Sequence, residues 1–309
     1  MNVLCYGSLN IDYVYTVPHF VCEGETLGAI SRDIFPGGKG LNQSIALSKA
    51  GLRVSHAGAL GVDDGEILKS TLEQTGINTE HISQVSIPTG HAIIQRTLEG
   101  KNCILVSGGA NQAITRSQID QVLKDFSEGD YLVLQNEISS LPYLVDKGHG
   151  MGLKVIFNPS PINDQVFTVD LSKVDIFLIN EVEAQALIAQ YNLLSDFNWA
   201  AIAQESQLVL RELQSIYPHA LFVLTMGGSG SAAIYQDEFA SCKAFKAAVC
   251  DTTAAGDCFT GYFLAAYSEQ RDLKDCLEIA SAAASIAVSR PGAAPSIPWR
   301  KEVDNIIWG

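Results

Sequence analysis

A lone carboxylate, Asp257, stands at the entrance of a helix in the run Asp251-Thr-Thr-Ala-Ala-Gly256-Asp257-Cys-Phe-Thr-Gly261. The small residues ahead of it let a ligand approach the backbone closely. A helix N-terminus offers unpaired N–H groups and the positive end of a dipole, which suits a phosphate. A carboxylate beside such an anion site can accept the proton of an attacking hydroxyl. The chemistry open to this run is phosphoryl transfer to an alcohol. Cys258 follows the carboxylate, and its type and place suit a small buried residue in a first helical turn.

Three other clusters could serve the same chemistry. Gly37-Gly38-Lys39-Gly40-Leu41-Asn42-Gln43 opens a helix with glycines, a cation and an amide one turn in. It also fits an ordinary glycine turn with a solvated lysine. It lacks the spacing of a Walker A loop and of G-x-G-x-x-G. Asn10 and Asp12 follow the first strand and could hydrogen-bond vicinal hydroxyls, or simply form a turn. Asn180 and Glu183 fit two roles, an N-cap with its capping-box partner or part of a water-and-magnesium network near phosphates. The six histidines, at 19, 56, 81, 91, 149 and 219, show no metal-ligand spacing, so a His/Cys zinc site is not expected.

The elements that must position these residues alternate along the chain. Val3 to Tyr6 reads as a buried strand ending at Gly7. Helical spacing runs from Leu41 to Ala50 and stops at Gly51. Val54 to Leu60 reads as a strand and Glu66 to Gln74 as a helix. Later strands are expected at Tyr131–Gln135, Lys154–Asn158, Ile176–Ile179 and Leu221–Thr225. Helices are expected to start near Ser140, Glu181, Ala200, Gly256 and Leu273. Such alternation predicts an α/β fold, a mostly parallel sheet with helices on both faces. In open sheets of this kind ligands bind beyond the carboxyl ends of the strands. There the chain places Asn136-Glu137, Asn158-Pro-Ser-Pro161, Asn180-Glu-Val-Glu183 and Thr225-Met-Gly-Gly-Ser-Gly230. The extended runs within 11–34 and 87–109 fit this scheme poorly. His91 to Leu98 and Asn102 to Ser107, joined at Gly100, read as a hairpin. These two segments are expected to form a separate small sheet, a lid, beside a main domain of residues 1–10, 35–86 and 110–309.

Composition sets the outer bounds. The chain has 309 residues, 47% hydrophobic and 17% charged, enough to bury roughly three quarters of its unfolded surface. A net charge of −14 argues against nucleic acid or an anionic membrane as partner. It leaves room for a nucleotide held by backbone N–H groups, a few cations and Mg²⁺. The seven cysteines form no C-x-x-C pair, which suits reduced thiols and a cytoplasmic location. The first residues lack the charged and long apolar regions of a signal peptide. No apolar run reaches the roughly 18 residues of a membrane span.

Taken together, these segments resemble the ribokinase (PfkB) family of carbohydrate kinases, in order and through nearly the whole chain. Gly7-Ser-Leu-Asn-Ile-Asp12 is similar to the family's first-strand sugar motif. Pro36-Gly-Gly-Lys-Gly-Leu-Asn-Gln43 and Asp251-Thr-Thr-Ala-Ala-Gly-Asp257 are similar to its two signatures. Thr89-Gly-His-Ala-Ile-Ile94, Gly108-Gly-Ala-Asn111 and Pro295-Ser-Ile-Pro-Trp-Arg300 resemble further family segments. Ala254 replaces a common Gly, Thr260 replaces a common Asn, and His91 is unusual; these departures bear on the acceptor.

The resemblance implies a three-layer α/β/α domain with a small β-sheet lid. It implies ATP-dependent phosphorylation of D-ribose at the 5-hydroxyl. The alternatives are another sugar or a nucleoside as acceptor, and a catalytically silent sugar- or nucleotide-binding regulator. Asp257 would be the base, accepting the proton late because a carboxylate is a weak base for an alcohol. Backbone N–H groups of Ala254, Ala255 and Gly256 would form an anion hole. Asn10, Asp12, Gly38, Lys39, Asn42 and Glu137 would hold the sugar with Asp257. Asn180, Glu183, Thr225, Gly227, Gly230 and Gly256 would line the nucleotide side, Glu183 meeting Mg²⁺ through water. Oxygens of Asp251, Thr253, Ala287, Arg290, Gly292 and Ser296 would surround a monovalent cation, K⁺. A homodimer through the lid strands is also implied.

Overall fold

The computed structural model describes residues 1–309. In chain order its strands are β1 (Val3–Tyr6), β2 (Asn10–Val17), β3 (Ser31–Gly37), β4 (Val54–Gly61), β5 (Asn78–Val85), β6 (Gly90–Thr97), β7 (Asn102–Ser107), β8 (Tyr131–Gln135), β9 (Lys154–Asn158), β10 (Ile176–Asn180), β11 (Leu221–Thr225), β12 (Ser231–Tyr235) and β13 (Glu238–Cys242). The helices are α1 (Lys39–Lys49), α2 (Glu66–Gln74), α3 (Arg116–Val122), α4 (Leu141–Gly150), α5 (Glu181–Ala189), α6 (Ser206–Ile216), α7 (Ala255–Ser268), α8 (Leu273–Val288) and α9 (Arg300–Trp308).

Nine strands form one sheet in the order β13-β12-β11-β10-β9-β8-β1-β4-β5. From β5 across to β11 all neighbours are parallel, and β12 and β13 extend that edge antiparallel. Side chains alternate between the faces of a strand. Val3 and Cys5 therefore enter one core with α1, α2, α7, α8 and α9. Leu4 and Tyr6 enter a second core with α3, α4, α5 and α6. Helices thus cover both faces, which is why the central strands are apolar along most of their length and turn polar at their carboxyl ends. The chain winds from β1 to β5 in one direction, then returns to β8 and winds to β11 in the other. The gap between β1 and β8 is the switch point, where loops part and a ligand can enter. Gly7 and Asn136 lie just beyond it.

A second sheet of four strands has the order β3-β2-β6-β7. It is the expected small sheet, with bounds that shift at its root. Asn10 already pairs with Gly37 and Gly90, so three strand ends meet where the small sheet leaves the main fold. The expected extended run at Thr26–Ile30 carries no strand. A helix expected near Ala200 is only a short 3₁₀ turn, Trp199–Ala201; α6 begins at Ser206, where the apolar spacing of Val209, Leu210 and Leu213 takes hold. No helix is long and apolar enough to cross a membrane.

One helix contact bears directly on the site. A Cβ at Gly261 of α7 would overlap Ala46 and lie 2.7 Å from Leu47 N of α1. The absence of a side chain brings α7 down onto the α1 backbone. That approach sets Asp257, one turn earlier, against Asn42 and Gln43.

Candidate active site

Helix α7 begins in a strained turn. Ala254 at its N-cap has φ 61°, a left-handed conformation that disfavours a β-carbon. Of the three N–H groups expected to form an anion hole, that of Ala255 donates to Thr252 O at 3.3 Å. Those of Ala254 and Gly256 have no protein acceptor, and neither has that of Asp257. Asp257 is only 7% exposed. Its Oδ2 accepts from Asn42 Nδ2 at 3.1 Å and its Oδ1 from Gln43 Nε2 at 2.9 Å. The carboxylate is therefore held on both oxygens by neutral amides beside the unpaired N–H groups of α7.

On the other side of α1 the expected sugar residues form a second group. Lys39 N donates to Glu137 Oε2 at 3.1 Å, and Ser8 Oγ donates to the same oxygen. Burial pushes the Glu137 carboxyl up, against the pull of Lys39 and Ser8. Burial also works against the Lys39 charge, but the Asp257, Glu137 and Glu183 carboxylates outweigh it and raise the ammonium. Lys39 is thus the one cation facing three acids. Asp12, on β2, lies against Gly37, where any Cβ would overlap its carboxylate. Burial, and then the Glu137 charge, push Asp12 up to about 7. Asn10 Oδ1 accepts from Asn111 Nδ2 at 2.8 Å, and Asn111 also clamps both backbone groups of Leu9. Gly38, with φ 96°, packs against Ser8 and Asn10.

Two cavities meet at this place. One, of about 390 Å³, is lined by Lys39, Asn180, Glu183, Ala254 and Asp257, with Asn102 and Ile104 of β7 at its rim. The other, of about 450 Å³, is lined by Gly227, Gly230, Phe245, Val249, Ala284 and Val288. Thr225, Thr252, Gly256 and Phe259 border both, so the two are halves of one groove along the N-terminus of α7. At the junction, Asn180 caps α5. Its side chain accepts from Val182 N and Glu183 N, and the Glu183 carboxylate accepts from Asn180 N at 2.9 Å and Nδ2 at 3.1 Å. The capping box is complete, and both residues border the cavity. Burial pushes Glu183 up.

Behind α7, Asp251 joins two loops. Its Oδ1 accepts from Thr253 N and Oγ1, and its Oδ2 from Gly292 N at 3.1 Å. Burial works against its charge, but these donors outweigh it and hold the carboxyl below the usual range. Ala287 O takes the Arg290 N–H, Ser296 Oγ donates to Ala293 O, and the Arg290 guanidinium pairs with Glu302. No cluster of three acidic, histidine or cysteine side chains that could hold a metal is present.

Several lining residues escaped sequence reasoning. Phe245, Val249, Ala284 and Val288 belong to an apolar wall with no chemistry-bearing residue type to mark it. Gln43, Gln135 and Asn158 were visible as polar residues at helix starts and strand ends, where their burial is a signal in itself.

A family model described as pfkB family carbohydrate kinase matches residues 1–300. The chain belongs to that family. It is a phosphotransferase acting on a sugar alcohol group. This kinase is 32% identical to a ribokinase from Haemophilus influenzae over 96% of this chain and 95% of that protein. It is 29% identical to a deoxyribokinase from Salmonella typhi, over 96% of each. Among solved structures, Arabidopsis thaliana ribokinase complexed with ribose and ATP superposes with a TM-score of 0.82 at 27% identity, covering 100% of this chain and 99% of that one. The kinase therefore has the ribokinase fold.

Proposed function

We propose that this kinase transfers the γ-phosphoryl group of ATP to the 5-hydroxyl of D-ribose, giving D-ribose 5-phosphate and ADP. The observation that carries this is the setting of Asp257. It sits between unpaired N–H groups on α7 and the Asn42 amide, whose Oδ1 is buried without a partner. An orphaned acceptor beside a base fits a hydroxylated ligand. Asn10, Asp12, Gly38, Lys39, Asn42 and Glu137 hold the sugar at the switch point. The hydroxyl proton passes to Asp257 as its oxygen bonds to phosphorus and the bond to the ADP oxygen breaks. The free N–H groups of Ala254 and Gly256 offset charge on the moving group, with positioning and electrostatics supplying most of the acceleration. Asn180, Thr225, Gly227 and Gly230 line the nucleotide half. The Arabidopsis relative, which holds ribose and ATP, supports this pairing of ligands.

Mg²⁺, arriving with ATP, would offset phosphate charge; Glu183 fits contact through water, since both its oxygens already accept from Asn180. Oxygens of Asp251, Thr253, Ala287, Arg290, Gly292 and Ser296 are hard donors that suit a monovalent cation such as K⁺, which would stiffen the loop carrying Ala254. The small sheet, residues 11–34 and 87–109, acts as a lid on a main domain of 1–10, 35–86 and 110–309. Its β7 exposes Ile104, Leu105 and Val106, an edge of the kind that proteins cover. A second copy covers it; light scattering that finds only monomer at assay concentration would remove this dimer.

A panel of ribose, 2-deoxyribose, fructose and adenosine with ATP, read as ADP release, tests the acceptor. Ribose is expected to give the highest kcat/KM. A site that hydrogen-bonds a hydroxyl rejects the analogue lacking it, so deoxyribose is expected to be at least about 10-fold poorer. Ribose inert while deoxyribose turns over at low KM would move the assignment to the Salmonella relative's substrate. In the same assay K⁺ at fixed ionic strength raises the rate more than Na⁺; equal rates in both and in neither would remove the cation site.

A further inference from the structure

Three consecutive polar residues of α1, Asn42, Gln43 and Ser44, are buried, and Gln43 is wholly inaccessible. A helix interior spends polar side chains this way only when each has a fixed partner. The Gln43 amide has three. Its Nε2 donates to Asp257 Oδ1 at 2.9 Å and to Asn158 Oδ1 at 3.1 Å, and its Oε1 accepts from Gln135 Nε2 at 2.7 Å. The direction of this chain is set at Asn158. Asn158 spends its Nδ2 on Leu178 O at 2.8 Å, so its oxygen must face Gln43. Gln135 is also wholly buried, and its Oε1 is wedged against Gly7, where a Cβ would overlap it. Flipping Gln43 would turn its oxygen toward two other oxygens. Gln43 and Gln135 are both wholly inaccessible, so no water replaces a bond lost between them.

The two carboxylate oxygens of Asp257 are therefore unequal. Oδ2 is held by Asn42, whose own Oδ1 is buried without a partner. Oδ1 is held by an amide chain rooted in the central strands β8 and β9, whose Gln43 and Gln135 links are wholly buried. We propose that Gln43 is a positioning residue for the base. It anchors Oδ1, so that Oδ2 is presented to the substrate hydroxyl and receives its proton, and Gln135 fixes Gln43 in the donating sense. This rests on Asp257 being the base.

The test uses the intact kinase with ribose and ATP. Gln43→Met keeps the side chain's length and removes its donor. It is expected to lower kcat about 10-fold or more while ribose KM stays within about threefold, because the lost bond serves the base and not the bound sugar. The decisive arm is the double variant. In an Asp257→Asn background, Gln43→Met is expected to change the residual kcat by less than about twofold, since residues acting as a unit are not additive. An equal loss in both backgrounds, or a single variant within threefold of wild type, overturns the proposal. If Gln43→Met does not fold, Gln135→Met carries the test. It is expected to lower kcat severalfold at constant KM in the wild-type background and not with Asp257→Asn; unchanged kcat overturns the proposal equally. Wild-type turnover in Asp257→Asn itself would instead refute the base, a separate outcome.

Discussion

Asp257→Asn is expected to lower kcat for ribose by about 100-fold or more, with ATP affinity within a few-fold of wild type. The substitution preserves shape and removes the proton acceptor. The half of the groove proposed to hold the nucleotide, around Gly227, Gly230 and Phe245, is not lined by Asp257, so ATP binding is expected to survive. Some cost to stability is expected as well. Asn42 Nδ2 and Gln43 Nε2 both donate to the carboxylate, and an asparagine presents only one oxygen to two donors. One buried amide then faces an NH₂ group, a loss of about 1–3 kcal/mol. Single-turnover ADP formation in protein shown by thermal melting to be folded separates the two effects. Near-wild-type turnover in such protein would refute Asp257 as base.

What made Asp257 legible is that its signal is local. A string of small residues, a helix entrance and one acid lie within a few positions, and the physics of each is carried by its own residue type. Lys39 and Asn42 share that property. The main sheet was legible for a related reason. Strands buried on both faces, such as β1 and β8, are apolar up to their carboxyl ends, and the helices between them show their stripes. The pattern weakens at the margins. β5 reads Asn-Thr-Glu-His-Ile-Ser-Gln-Val; as an outer strand it buries little and its side chains need not be apolar. β12 and β13 form the opposite margin, where the parallel winding ends in a hairpin. The short turn at Trp199–Ala201 was mistaken for a helix start because small apolar residues suit either.

The site was less legible wherever a role depends on two distant segments. Nothing local to Gln135 shows that its amide meets Gln43, 92 positions away. Asn111 holds Leu9 and Asn10 across a separation of about a hundred residues. Its function is to fix the root where β2 and β6 leave the main fold, and that root exists only after folding. The apolar wall of the second cavity is invisible for the opposite reason, because an apolar surface needs no particular residue type. Ala254 is the clearest case of a local departure with a structural consequence. A glycine would adopt its left-handed backbone freely, whereas alanine is strained there by about 1 kcal/mol, at the turn that opens α7 and its unpaired N–H groups.

The second large effect is expected at Asp12, where the sugar and the fold make opposite demands on one carboxylate. Burial and the neighbouring Glu137 push it up to about 7, against about 4 in an unfolded chain. The folded state therefore holds this proton more tightly than the unfolded state. The resulting cost to stability is absent below pH about 4, grows between about 4 and 7, and is fully present above 7. Asp12→Asn removes that cost. Its melting temperature at pH 8 is expected to exceed that of the wild-type free enzyme by a few degrees, and the gap should close as pH falls toward 5. Catalysis should move the other way. An ionised Asp12 accepts the sugar's hydroxyl protons, and charged hydrogen bonds contribute about 1.5–3 kcal/mol each. Asp12→Asn is thus expected to lower kcat/KM for ribose about 100-fold, mainly through KM. In the wild type, kcat/KM should rise through pH about 7 while the variant's profile stays flat across that window. A variant that melts no higher than wild type at pH 8, or one that keeps the inflection near 7, would show that this carboxylate is not the group under strain. A stabilised but weakly binding variant would show that the kinase keeps a destabilising charge on β2 because the substrate's hydroxyls neutralise its cost on arrival.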